Sequence, residues 1–178
     1  MTVRRYPHQF RFQVISLWLV ENYLPRTALD VGGGKGLLAY LLNLRGWDVT
    51  VVDPVYQSLP SKYKDIELDK RILIPESEKV KQITAPFEEA MAKDFDLLIG
   101  LHAHGSNIKI LNAAAKYHKD FLILPCCVID EPIEVKEGIN WMNSLEDYAI
   151  KLGLPVKRHT FNFVRQSTAL YVIDRIKS

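Results

Sequence analysis

The stretch Ala28-Leu29-Asp30-Val31-Gly32-Gly33-Gly34-Lys35-Gly36 constrains this chain more than any other. An apolar run ends in an acid, glycines follow at 32, 33, 34 and 36, and a helical pattern from Leu37 to Leu42 comes next. A buried strand therefore runs into a tight turn and then into a helix. Glycine suits such a turn because it takes positive φ without steric cost, and because a ligand can approach backbone where a Cβ would otherwise stand. The N–H groups that open the helix lack partners within it and can hold the polar end of that ligand. Four glycines in five positions cost conformational entropy and add no packing, so a turn without a ligand explains them poorly. The pattern predicts a nucleotide-cofactor corner in an open α/β sheet.

Two cofactor classes fit the spacing. Gly34-x-Gly36-x-x-Ala39 satisfies the dinucleotide fingerprint Gly-x-Gly-x-x-Gly/Ala, which predicts a nicotinamide-dependent oxidoreductase. Asp30, Gly32, Gly34 and Gly36 also form Asp-x-Gly-x-Gly-x-Gly, which resembles the first motif of class I S-adenosylmethionine-dependent methyltransferases. Electrostatics separates the two. A carboxylate beside a pyrophosphate repels it, whereas Asp30 facing the cationic amino end of S-adenosylmethionine is complementary. A third reading, a cofactor-binding module without activity, stays open.

Trp47-Asp48-Val49-Thr50-Val51-Val52-Asp53-Pro54 is a β-branched run ending in an acid. Asp53 follows Gly32 by 21 positions, close to the offset of about 20 at which an acid binds ribose hydroxyls. A carboxylate can accept hydrogen bonds from both hydroxyls of a vicinal diol. Both cofactor readings use this residue, and a turn or helix-capping Asp is the alternative.

Elements alternate along the chain as a doubly wound fold requires. The pattern predicts a helix over about 8–23, a strand at 27–31, a helix at 35–45 and a strand at 48–53. Residues 54–79 are charged, with Pro60 and Pro75, and read as a mobile loop or a broken helix. A strand at 80–84, a helix at 86–92 and an apolar strand over Phe95–Leu101 follow; continuous apolarity suits the centre of a parallel sheet. Ser106 or Asn107 caps a helix to about 118, Phe121–Leu124 is a fifth strand, and a helix at about 143–152 ends at Gly153. Val156–Val164 and Thr168–Ile173 are two further strand-like runs, joined by a link too short for a crossover helix and hence antiparallel. A closing reversed strand resembles the seven-stranded, mostly parallel sheet of the class I methyltransferases and departs from a plain dinucleotide-binding fold. The resemblance spans nearly the whole chain, residues 1–178, read as one domain.

Composition excludes several classes. A net charge of +2 creates no strong field for nucleic acid or membrane, and 48% hydrophobic with 25% charged residues is ordinary for a soluble domain. The apolar run Val14–Val20 is too short for a membrane span. Cys126 and Cys127 are adjacent, and a disulfide between neighbours is strained. No disulfide framework follows, so a reducing, cytoplasmic location is expected.

A finer resemblance lies after the fourth and fifth strands. Leu101-His102-Ala103-His104-Gly105 resembles a Leu-His-x-Cys-Gly segment, and Leu124-Pro125-Cys126-Cys127 a Leu-Pro-Cys-Cys segment, of a methyltransferase subfamily similar to transfer-RNA methyltransferases of the Trm13 type. His104 stands where that pattern has Cys. The resemblance implies an RNA acceptor, with a small molecule as the alternative. Ligands in open α/β sheets sit outside the carboxyl ends of the strands, so His102, His104, Cys126 and Cys127 should gather near the transferring methyl group. His102 or His104 is the candidate general base, since histidine titrates near neutrality; lining the pocket is the alternative. The thiols read as pocket or core residues, a covalent role requiring a lowered pKa. His102, His104 and Cys126 are suitable ligand types for a metal, but adjacent cysteines rarely both reach one ion, and no metal is expected. Where the family often has an acid contacting adenine, this chain has Thr84-Ala85-Pro86-Phe87, so the backbone of Ala85 or stacking by Phe87 would substitute. Finally, Arg4-Arg5-Tyr6-Pro7-His8-Gln9-Phe10-Arg11 mixes basic and aromatic residues as nucleic-acid contacts do, or is a solvated helix start.

Overall fold

Alternation along the strands decides how the layers form. In Leu97–Leu101, residues Leu97, Ile99 and Leu101 pack to one side and Leu98 to the other; in Asp120–Leu124, Leu122 and Leu124 oppose Phe121 and Ile123. Both faces are apolar, so both must be covered. The computed structural model describes residues 5–126, 130–133, 135 and 140–174. Arg4 and Cys127, singled out above, lie outside the described residues.

The strands are β1 (Thr27–Val31), β2 (Asp48–Asp53), β3 (Lys62–Asp65), β4 (Lys70–Leu73), β5 (Lys81–Thr84), β6 (Leu97–Leu101), β7 (Asp120–Leu124), β8 (Lys157–Thr160) and β9 (Thr168–Val172). Seven of them form one sheet in the order β5-β2-β1-β6-β7-β9-β8. The β5, β2, β1, β6 and β7 strands run parallel, while β9 is antiparallel to both β7 and β8. The reversed strand is thus the penultimate one in space, wedged between β7 and β8. Helices α1 (Arg11–Asn22) and α2 (Leu37–Asn43) cover one face, burying Ile15, Leu19, Leu38 and Leu42. Helices α3 (Asn107–Tyr117) and α4 (Trp141–Lys151) cover the other, burying Ile108, Leu111, Leu145 and Ala149. Gly100 lets α3 approach β6: a Cβ there would stand 2.6 Å from Ile110 Cδ1.

The segment expected as a mobile loop is instead an antiparallel ribbon, β3 with β4. It is charged because it is an outlying layer, not part of the sheet: Gln13 of α1 donates to the Lys64 carbonyl (3.0 Å), and Tyr63 meets Tyr40 of α2 edge to face. The helix expected at 86–92 is a 3₁₀ turn over Glu89–Asp94. The α3 helix receives no side-chain cap from Ser106. Its first N–H groups, at Asn107 and Ile108, donate to the carboxylate of Glu131, 24 and 23 residues away (2.8 and 3.1 Å). A charged cap on orphan helix donors does the same work as a local Ser or Asp.

Candidate functional site

The glycine turn closes on its own backbone. Gly32, Gly34 and Gly36 all have positive φ, at 67°, 55° and 79°. The Gly32 N–H donates to the Val52 carbonyl (2.8 Å), that of Gly34 to Asp53 Oδ2 (3.1 Å) and that of Gly36 to the Gly33 carbonyl (3.0 Å). Asp53 also accepts from the Val55 N–H at Oδ1 (2.9 Å), so both oxygens anchor backbone and keep further lone pairs for hydroxyl donors.

Asp30 is buried. It shares the α1/α2 face of β1 with Ala28, is 2% exposed, and lies beneath the turn instead of facing open solvent. A Cβ on Gly33 would stand 2.5 Å from Asp30 Oδ2, so this glycine is required by the carboxylate under it. That oxygen is buried without a hydrogen-bond partner among the described residues. Burial above all, then the neighbouring Asp53 charge, raises the Asp30 pKa to about 7.

A cleft of about 400 Å³ runs along the carboxyl ends of β1, β2 and β6, with Gly32, Asp53, Phe87, His102, His104 and Lys109 among its walls. This volume suits a nucleoside-sized ligand. Ala85 is not among the walls, and its N–H is already donated to the Ile83 carbonyl (3.1 Å). The buried Phe87 lines the cleft as an apolar wall on that side.

No protein-family model matches this chain. Over 104 residues, 58% of the chain, it is 33% identical to a probable tRNA (uracil-O(2)-)-methyltransferase of Caenorhabditis elegans. Over 104 residues it is 26% identical to the human protein of that name. These relatives are far longer: the matched segments span 17% and 12% of them. Among solved structures, a precorrin-6y C5,15-methyltransferase of Geobacter metallireducens superposes with a TM-score of 0.57 at 8% identity, covering 96% of this chain and 91% of that one. An S-adenosylmethionine-dependent methyltransferase of Agrobacterium tumefaciens gives 0.52 at 13% identity, covering 95% and 62%. The strand order with its reversed β9 is common ground. The chain has the class I methyltransferase fold.

Within that fold, the segment after β6 makes the other side of the cleft, with the end of β7 beside it. The first residue past β6, His102, takes a left-handed φ of 56°, a conformation that non-glycine residues hold only when their surroundings impose it. Here its N–H donates to the Leu124 carbonyl at the end of β7 (3.0 Å). Its Nε2 lies 3.2 Å from Nε2 of His8, and the two rings meet edge to face. Burial first, then Arg11, His8 and His104, lowers the His102 pKa to about 4. The imidazole is thus neutral at physiological pH. His104 is exposed, with Nε2 3.5 Å from Sγ of the exposed Cys126. The structure therefore brings His102, His104 and Cys126 together. Among the described residues no group of three or more His, Cys, Asp or Glu could hold a metal ion.

Sequence reasoning did not find His8 as a partner of His102, nor Lys109, Arg165 or Glu131. The only available signal was the basic and aromatic run ending at Arg11, which gives composition but not position.

Proposed function

We propose that this chain is an S-adenosylmethionine-dependent methyltransferase domain that methylates RNA, with a transfer-RNA nucleotide as the acceptor. The observation that carries the reading is the cleft where the glycine turn, Asp53 and the β6 end meet on a sheet with a reversed β9. The residues present fit the cofactor. Asp53 offers a charged acceptor to ribose hydroxyls, Phe87 an apolar wall to the base, and the unpartnered Asp30 Oδ2 a buried negative site toward the cationic amino end. The names of the relatives support the RNA acceptor. The reversed strand speaks against the nicotinamide alternative, which calls for a continued parallel sheet.

When bound, the cofactor supplies a methyl group already activated on sulfonium, so the protein's task is alignment and exclusion of water. His102, held neutral, can accept a proton from the acceptor or orient it through hydrogen bonds without itself titrating near pH 7. His104 lines the same cleft, and Cys126 lies against it. No helix among the described residues is long and apolar enough to cross a membrane, and the adjacent cysteines suit a reducing compartment such as the cytoplasm.

Calorimetry and thermal melts test the reading. S-adenosylhomocysteine should bind and raise the melting temperature, by an amount corresponding to about 2.7 kcal/mol at a hundredfold excess over Kd, and NAD should not. Methyl-labelled cofactor should then label unfractionated transfer RNA. A response to NAD with none to S-adenosylhomocysteine overturns the cofactor assignment.

A further inference from the structure

The cleft has a second neighbour that the cofactor does not explain. Strand β8 runs parallel to β1, β6 and β7 because two reversals, through β9, separate it from β7. The chain leaving β8 therefore emerges at the same end of the sheet as the cofactor turn. The N-terminal segment is fastened to that emerging loop. Tyr6 N–H donates to the Asn162 carbonyl (3.0 Å) and Val164 N–H to the Tyr6 carbonyl (2.9 Å). Arg5 Nη2 donates to the Phe163 carbonyl (2.6 Å) and to Ser167 Oγ (3.2 Å).

This clip brings two guanidinium groups and an imidazole to one side. Arg165 stands exposed on the loop with a left-handed φ of 69°. Arg11 opens α1 half-buried, its Nε shielded from water and without a hydrogen-bond partner among the described residues. His8 bridges the set to His102. Burial first, then Arg11 and Arg165 for His8 and Arg11, His8 and His104 for His102, lowers both pKa values, and no acid among the described residues offsets them. One half-buried and one exposed guanidinium beside an imidazole whose charged form is disfavoured are an arrangement completed by an anion at their exposed side.

Position decides which anion. The cofactor half of the cleft is built on β1, β2 and the turn after β5, whereas these groups lie beyond β6 toward β8, on the acceptor side. We propose that Arg11, Arg165 and His8 form a phosphodiester-binding ridge that seats the backbone of an RNA acceptor beside the target nucleotide. The inference rests on the methyltransferase reading and adds the surface by which the acceptor is held. Arginine suits it, since the guanidinium fork matches phosphate geometry.

The test measures binding of unfractionated transfer RNA by fluorescence anisotropy across a salt series, together with S-adenosylhomocysteine affinity, for the wild type, Arg11→Gln, Arg165→Gln and Arg165→Lys. Each Gln variant should bind RNA about fivefold or more weakly and lower the salt slope by roughly one phosphate contact. Arg165→Lys should keep most of the slope, and S-adenosylhomocysteine affinity should stay at the wild-type value in all three. Because Arg165 is exposed, its variants test the ridge even if Arg11→Gln folds poorly. Unchanged RNA affinity and slope in Arg165→Gln overturn the proposal. So does a loss of S-adenosylhomocysteine affinity in a folded Arg11→Gln, which would assign the ridge to the cofactor. A wild-type protein that binds RNA with these slopes but not S-adenosylhomocysteine keeps the ridge and removes the methyltransferase reading instead.

Discussion

On the β1–β2 side of the cleft, the turn is held by backbone conformation and by one acid 19 residues from the glycine it anchors. On the β6–β7 side, His102 meets a histidine 94 residues earlier in the chain, and α3 is capped by Glu131 from a different loop. The first side is local and rigid before any ligand arrives. The second is assembled from distant pieces, so its geometry depends on the whole fold. The difference teaches where binding and where selectivity can change independently: a glycine turn admits few substitutions, whereas a side-chain cluster can be rebuilt one residue at a time.

The sharpest way to break this contrast is at Asp30, where the rigid side stores an unfavourable charge. Its carboxyl has a raised pKa in the folded protein, so its stabilising contribution is complete below about pH 4 and is lost as pH rises through about 7. Asp30→Asn should therefore melt higher than wild type at pH 7.5, converge with it near pH 4, and bind S-adenosylhomocysteine more weakly. Equal melting temperatures across that range would show that burial does not penalise the charge.

Next comes His102. Replacing it by Ala should lower turnover on RNA by about a hundredfold with cofactor affinity almost unchanged. With its pKa lowered to about 4, the wild-type rate should show no inflection from this residue between pH 6 and 8 and should fall only as pH drops toward 4. An equal loss of cofactor affinity would merge the two sides of the cleft into one. Asp53→Ala, on the rigid side, should weaken S-adenosylhomocysteine binding by about 2 kcal/mol, because ribose hydroxyls lose a charged acceptor; titration calorimetry at pH 7.5 reads this directly. The smallest effect is Glu131→Ala, which uncaps α3. It should cost about 1 kcal/mol and lower the melting temperature by about 2–4 °C, and an unchanged melt would mean that water replaces the carboxylate.

What could be read in the sequence divides along the same line. The succession of the strands along the chain, the glycine turn and the reversal of β9 follow from local patterns: an apolar run, a spacing, a link too short for a helix. The β3–β4 ribbon was read as a loop because Lys62-Tyr63-Lys64-Asp65 carries one apolar residue in four and packs on helices, not within a sheet. The burial of Asp30 follows from alternation along β1, which places it on the same face as Ala28, while its carboxylate chemistry is what the motif supplies. The Ala85 N–H is turned back onto the Ile83 carbonyl, a local contact that no sequence pattern reports. His102, His104 and Cys126 were gathered by the strand-end rule, but no local pattern reports that His8 and Arg11 return to meet them.

The clip between Tyr6 and the 162–164 loop joins positions more than 150 residues apart. Closing so long a loop carries an entropic cost that adjacent contacts avoid, and contacts of this span form late in folding. During synthesis from the amino end, the glycine turn can pair with β2 as soon as residue 53 is available, whereas residues 5–8 must wait for the final hairpin. The side of the cleft that carries His8 and His102 thus closes only after the β8–β9 hairpin has formed, later than the glycine turn on the other side.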